Sequence, residues 1–193
     1  MGKGEATRKA ILADAMALAS TVGLEGLTIG RLAERLNLSK SGLFAHFKSK
    51  ENLALEVIEA ARLQFVEAVV APALRSPRGE PRVRALVDRW LAWGQRPGGC
   101  IFVALAAELD DQPGPARDAL AAAQRDWLDT LAGAARIAVA EGHFKKDLDV
   151  QQLAFELYGL MLGFHHLLRF LQDPKAVART RRAVDRLLEG SRT

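Results

Sequence analysis

Between Thr28 and Lys50, in TIGRLAERLNLSKSGLFAHFKSK, small, hydroxylated and basic side chains recur at spacings that suit contact with a polyanion rather than bond making. At about 100° per residue, Ser41, Ala45 and Lys48 share one side of a helix, flanked by Gly42 and Phe44, while Leu43 and Phe47 point the other way. Hydroxyl and ammonium groups donate to phosphate oxygens and base edges, and small side chains let a helix lie deep in a major groove. The chemistry on offer is therefore recognition of double-stranded DNA, with Thr28, Ser39, Lys40, Ser41, Gly42, Phe44, Ala45, His46, Lys48 and Lys50 as candidate contacts. Catalysis has no comparable case. Asp110, Asp111, His143 and the pair His165-His166 supply acids and bases, but nothing sets a nucleophile or a metal-ligand group among them. Neither a glycine-rich phosphate loop nor a triad signature occurs, so the expectation is no enzyme, no cofactor and no metal.

The elements that must position these residues follow from local pattern. Thr28 is an N-cap, and Ile29, Leu32, Ala33 and Leu36 form one apolar stripe on a short helix. Asn37 and Leu38 make a tight turn, and Ser39 caps the next helix, which completes a helix-turn-helix. Ahead of it, Ile11, Leu12, Ala15, Leu18, Ala19 and Val22 predict a helix from about Ala6 to Val22, closed by Gly23, as the third member of a small bundle. Lys3, Arg8 and Lys9 near its start are read as a solvated terminus, with a minor groove or phosphates as the alternative. Ser49 opens a fourth helix reaching about Ala71, where Pro72 ends or kinks it. Lys50 sits in the first turn of that helix, where the dipole disfavours a cation, and a nearby phosphate would account for it.

Charge agrees in its location. The first fifty residues carry eight basic and four acidic side chains, while the remainder balances at nineteen of each, so the whole surplus of +4 lies on the segment holding the helix-turn-helix.

The rest of the chain reads as helices separated by breakers. RSPRGEP precedes a helix with Pro81 at its first turn, Arg96-Pro97-Gly98-Gly99 stops it, IFVALAAEL forms a short buried helix, and an alanine-rich helix runs from Pro115 to about Ala140. Asp149 caps a helix to about Leu171, with Gln152 placed to cap back, and Asp173-Pro174 starts the last one. The fold class is all-α with about nine helices: a three-helix bundle with the helix-turn-helix in residues 1–48 and a larger helical domain in 49–193. The helix after Asp149 is apolar over more than half its circumference, which predicts a homodimer through the last two helices by way of Gly159, Gly163, Phe164, Leu167, Val184 and Leu188. A dimer would also place two recognition helices about 34–36 Å apart, the spacing of successive major grooves in a palindrome. No run of eighteen apolar residues occurs, the basic start has no signal-peptide core, and Cys100 is the single cysteine, so the expected setting is a reducing cytoplasm away from membranes.

The run SKSGLFAHFKSKENL, following the Thr28–Leu36 helix pattern, resembles the signature of the TetR family (TetR/AcrR) of bacterial transcriptional regulators, which usually reads SKGTLYxHFxSKEeL. The likeness covers about residues 6 to 60, and beyond that only the helical layout is similar. Ser41-Gly42 departs from the usual Gly-Thr order, and Phe44 stands where a Tyr hydroxyl commonly reaches a phosphate. The resemblance implies a repressor that binds a palindromic operator as a homodimer and is released by a small molecule held in the larger domain. Candidate lining residues for an apolar or amphipathic effector are Phe65, Trp90, Phe102, Trp127, Phe155 and Tyr158, with Trp93 and one of His165 and His166 as further aromatic or polar groups. Cys100 after Gly98-Gly99 resembles the Gly-Cys of some redox-responsive members, although a buried core cysteine is the plainer reading. The competing class is a helical dimer that scaffolds other proteins and reads no specific DNA.

Overall fold

Among the described residues, 3–193 of a computed structural model with side chains from Thr7 onward, helices are the only named elements. α1 spans Lys3–Gly26, α2 Ile29–Leu36, α3 Lys40–Phe47 and α4 Lys50–Phe65; a π-helical turn, Val66–Val70, carries α4 into α5, Ala71–Leu74. α6 covers Glu80–Gly94, α7 Ile101–Leu109, α8 Pro115–Ala140, α9 Val150–Arg169 and α10 Ala176–Ser191. Counting α4, the π-helical turn and α5 as one helix, the described residues form nine helices, as expected.

Pro72 does not end the fourth helix. A proline lacks the N–H that would continue the ladder, and its ring collides with the carbonyl four residues earlier. The backbone answers by widening the turn just before it: the Ala71 N–H reaches back to Val66, five residues away, and the helix then continues past Pro72 to Leu74.

The chain forms two compact units. One combines the chain up to Gln64 with Cys100–Ala123; the other combines Phe65–Gly99 with Gln124–Thr193. The reason is α7. Its sequence is almost wholly apolar, Ile101, Phe102, Leu105 and Leu109 are buried, and it packs against α1. Cys100, at the N-cap of α7, is also buried.

In the second unit α9 packs against α6 and α10. Trp90 and Phe164 meet edge to face at 6.0 Å, and Gly94 makes room for them, since a Cβ there would lie 2.9 Å from the Phe164 ring. Asp149 caps α9 as expected, accepting from the backbone N–H groups of Gln151 and Gln152 at 3.0 Å each. Gln152 does not cap back, because its amide donates to Glu156 one turn on. Glu80 gathers the chain's end: Arg192 and Arg84 both donate to its carboxylate, and Arg84 also pairs with Asp185.

Candidate nucleic-acid interface

The geometry of the reading head is set by two hydroxyl caps and two apolar anchors. Thr28 Oγ1 accepts from the Arg31 N–H at 3.2 Å and Ser39 Oγ from the Gly42 N–H at 3.1 Å, which starts α2 and α3 where the sequence placed them. Asn37, in the left-handed region at φ 53°, ψ 42°, turns the chain between them. Leu43 and Phe47 are fully buried, and this fixes the rotation of α3 about its axis. Lys40, Ser41, Gly42, Phe44 and Ala45 are thereby left exposed, and His46 is half-buried. Phe44 is 55% exposed, a large apolar ring with no covering on the outer face of α3.

Lys48 lies off the helical face expected for it. It is the C-cap of α3, with φ 62° and ψ −38°, a conformation that a side chain with a Cβ rarely adopts. Lys48 is exposed just past the end of α3.

Several other basic residues, Arg31 on the Gly26 carbonyl at 3.3 Å among them, have internal partners that sequence reasoning missed. Lys50 pairs with the Glu25 carboxylate at 2.9 Å and also donates to the Glu25 carbonyl at 3.1 Å, so a bound phosphate is not required to account for a cation in that first turn. Arg8 donates to the His46 carbonyl at 2.9 Å, pairs with Glu56 and lies 5.2 Å above the Phe47 ring, tying α1 to α3 and α4 instead of standing free in solvent. Arg35 pairs with Asp14 of α1. Lys9 is exposed, and the Lys3 side chain lies outside the described residues.

Glu108 of α7 is a further missed residue. Its carboxylate accepts from the backbone N–H groups of Leu24 at 2.9 Å and Glu25 at 2.6 Å, just after α1 breaks at Gly23. Gly23 has φ 74°, and a Cβ there would stand 2.3 Å from Glu108 Oε2, so both conformation and approach require glycine. No local pattern signals a partner 84 residues away.

The candidate effector residues divide. Phe65, Trp93 and Trp127 form one cluster in the second unit, with Phe65 edge-on to Trp93 at 5.4 Å and to Trp127 at 5.0 Å. Tyr158 Oη donates to Gln124 Oε1 in the same unit. Trp90 is core beside Phe164, Phe102 is buried in the first unit, and Phe155 is 67% exposed. Of the adjacent histidines, His165 is half-buried while His166 is exposed and lies against the Phe170 ring. Burial, then Arg169 and His166, hold the His165 imidazole below its ordinary pKa. His143 is used locally, its Nδ1 accepting the Glu80 N–H at 3.0 Å.

The candidate dimer residues also divide. Phe164, Val184 and Leu188 are buried within the single chain, Leu167 is half-buried, and Gly159 and Gly163 are exposed with open space around them. The outward side of α9 instead carries Phe155, Gly159, Leu162, Gly163 and His166, and Phe170 follows in the same register. The helix is apolar on two faces, and the one turned inward is that of Leu157, Met161 and Phe164.

Comparison with known proteins decides the family. The sequence profile of "Bacterial regulatory proteins, tetR family" matches residues 11–57, and that of "Tetracyclin repressor-like, C-terminal domain" matches residues 79–184. The chain belongs to the TetR family. Over 53 residues it is 45% identical to the Tetracycline repressor protein class C of Escherichia coli, a match spanning 28% of this chain and about a quarter of that protein, 24%. A TetR transcriptional regulator from Chloroflexus aurantiacus J-10-FL is 28% identical, with 98% of this chain and 96% of that one covered and a TM-score of 0.86. AibR, solved with isovaleryl coenzyme A and operator DNA, shares the fold at 22% identity, with 94% and 95% covered and a TM-score of 0.74. This TetR-family member is thus a transcriptional regulator with a DNA-binding helix-turn-helix, and no helix among its described residues is long and apolar enough to cross a membrane.

Proposed function

We propose that this regulator is a cytoplasmic repressor that binds a palindromic operator as a homodimer and is released by a small molecule. The observation that carries the reading is the rotation of α3: Leu43 and Phe47 are buried, while Lys40, Ser41, Gly42, Phe44 and Ala45 face solvent, and Lys48 is exposed just after the helix. In this reading Lys40 and Lys48 hold phosphates, the hydroxyls of Thr28, Ser39 and Ser41 donate to the backbone or base edges, and Phe44 offers its ring to thymine methyl groups. Lys50 contacts phosphate only after leaving Glu25, and His46 serves through its half-buried ring at the edge of the face.

A dimer follows from need and from surface. One eight-residue helix reads too few bases, and a second copy doubles the site. The stripe Phe155, Gly159, Leu162, Gly163 and Phe170 runs for about 22 Å at 1.5 Å per residue, and its two glycines let a facing helix come close. The effector belongs with Phe65, Trp93 and Trp127, and AibR, whose fold is similar, is known with both a ligand and operator DNA. The functional division proposed remains DNA reading in residues 1–48 and effector binding with dimerisation in 49–193. Selection of bound sequences from random duplexes tests the reading. A palindrome with half-sites about ten base pairs apart, bound with a steep salt dependence, is the expected result. Recovery of no preferred sequence would leave the protein a scaffold.

A further inference from the structure

Two buried indole groups in the second unit are donors without acceptors. Trp93 Nε1 and Trp127 Nε1 have no hydrogen-bond partner, and the residues are only 5% and 6% exposed. Buried N–H groups are almost always paired, and an unpaired one in a native structure calls for an explanation. Both belong to one cluster, since each ring meets the Phe65 ring at right angles with centroids 5.4 and 5.0 Å away, so the two indoles fall within the span of a single drug-sized molecule.

The chemistry of the orphaned groups selects among ligands. An indole N–H can donate and cannot accept, so the molecule that satisfies it must present an acceptor. An aromatic cluster alone would also suit a cation held over a ring face. Here one face of Trp93 is already taken by a cation of the protein itself, the Arg96 guanidinium carbon lying 4.3 Å from the ring centroid. A second positive charge would meet repulsion there, while a negative one would be attracted. His165 Nε2, the third orphaned atom, can donate or accept and so does not discriminate.

We propose that the effector is an apolar organic acid whose carboxylate accepts from the indole N–H groups of Trp93 and Trp127, with its hydrocarbon body against Phe65. The proposal rests on the effector-released regulator described above and narrows it to one ligand class. It sets the effector apart from the quaternary ammonium compounds that an aromatic cluster would otherwise invite. Arg96, exposed beside Trp93, supplies the positive field that draws the acid in.

The chain's three tryptophans give three indole N–H resonances, and they are assigned by Trp93→Phe and Trp127→Phe. The probes are matched carboxylate, amide and trimethylammonium compounds built on phenylbutyl, cyclohexylbutyl, biphenylmethyl and octyl bodies. With the intact chain, the carboxylates are expected to move the Trp93 and Trp127 resonances downfield, the amides to do so at higher concentration, and the ammonium compounds to leave them in place, with Trp90 as the internal reference. Each Trp→Phe variant, confirmed folded by circular dichroism, should bind the best carboxylate about tenfold more weakly, the loss of one charge-assisted hydrogen bond. Preference for the ammonium series, or silence of both resonances across the whole panel, would overturn the proposal. Operator selection separates the two readings: an operator found with silent indoles refutes this inference alone, and indole shifts without any operator refute the regulator reading while the acid site stands.

Discussion

Replacing Gly23 with alanine should be one of the most damaging single-methyl changes in the first unit. The left-handed φ of 74° costs a residue with a Cβ about 1–2 kcal/mol. The new Cβ would also stand 2.3 Å from Glu108 Oε2, forcing the carboxylate off the Leu24 and Glu25 N–H groups. Charge-assisted hydrogen bonds contribute about 1.5–3 kcal/mol each, but the Glu25 N–H is exposed and regains water, so the pair is worth about 2 kcal/mol. Gly23→Ala should thus destabilise by about 3–4 kcal/mol, and Glu108→Ala alone by about 2. The double variant should cost no more than about 4 kcal/mol rather than the sum, because the second change removes what the first has already displaced. Urea denaturation of the four proteins measures the coupling. If Gly23→Ala costs the same with and without Glu108, the carboxylate is not what holds that break.

Lys48→Gly should relieve backbone strain and stabilise the fold by about 1 kcal/mol, yet weaken binding to every DNA sequence and lower the salt slope by about 1; Lys40→Ala should lower the slope equally without the gain in stability. Glu25→Gln should strengthen DNA binding at low salt by freeing Lys50, and should do nothing in a Lys50→Ala background, a comparison that titrations with one operator settle. Leu162→Glu on the outward face of α9 should give monomers in analytical ultracentrifugation with helicity kept, whereas Phe164→Glu should unfold the second unit because that ring is buried. The Arg192 hydrogen bond, followed by those of Arg84, holds Glu80 down from 4.5 to about 2. A carboxylate depressed in the folded state stabilises fully above its unfolded pKa, and this contribution should fade as pH falls from 4.5 towards 2. Glu80→Gln should therefore flatten the acid limb of a urea-stability profile and leave its neutral plateau lower.

What the sequence disclosed was local. Ser39 caps α3, Asp149 caps α9 and Asn37 turns between α2 and α3, because each of these acts on backbone groups two or three residues away and the residue type alone states the geometry. The inward pair Leu43 and Phe47 was legible for the same reason: four residues apart on a short helix with one apolar side, they leave a single choice of face. α9 offered no such choice. Apolar residues wrap more than half of it, and what seats Phe164 inward is the missing side chain of Gly94, on another helix and seventy residues earlier. The Lys50–Glu25 pair was not legible, because Glu25 lies beyond the reach of helical spacing and a dipole argument limited to α4 could not contain it. Pro72 shows another limit. Its conflict with the ladder was evident, but a helix can resolve that conflict by stopping, by bending or by widening one turn, and only packing selects among them.

The return of the chain into the first unit bears on how such proteins can be recombined. Because residues Cys100–Ala123 fold with the segment up to Gln64, the backbone passes between units at residues 64, 99 and 123, and no single cut separates them. A chimera that moves only the first 64 residues onto a foreign body leaves α7 behind. Its α1 would then meet whatever helix the new host supplies, and the N–H groups of Leu24 and Glu25 would depend on a stranger for their carboxylate. A graft that carries residues 100–123 along takes Glu108 with it. In any such exchange α7 and the break at Gly23 should therefore be moved as one block, although α2 to α6 lie between them in the chain.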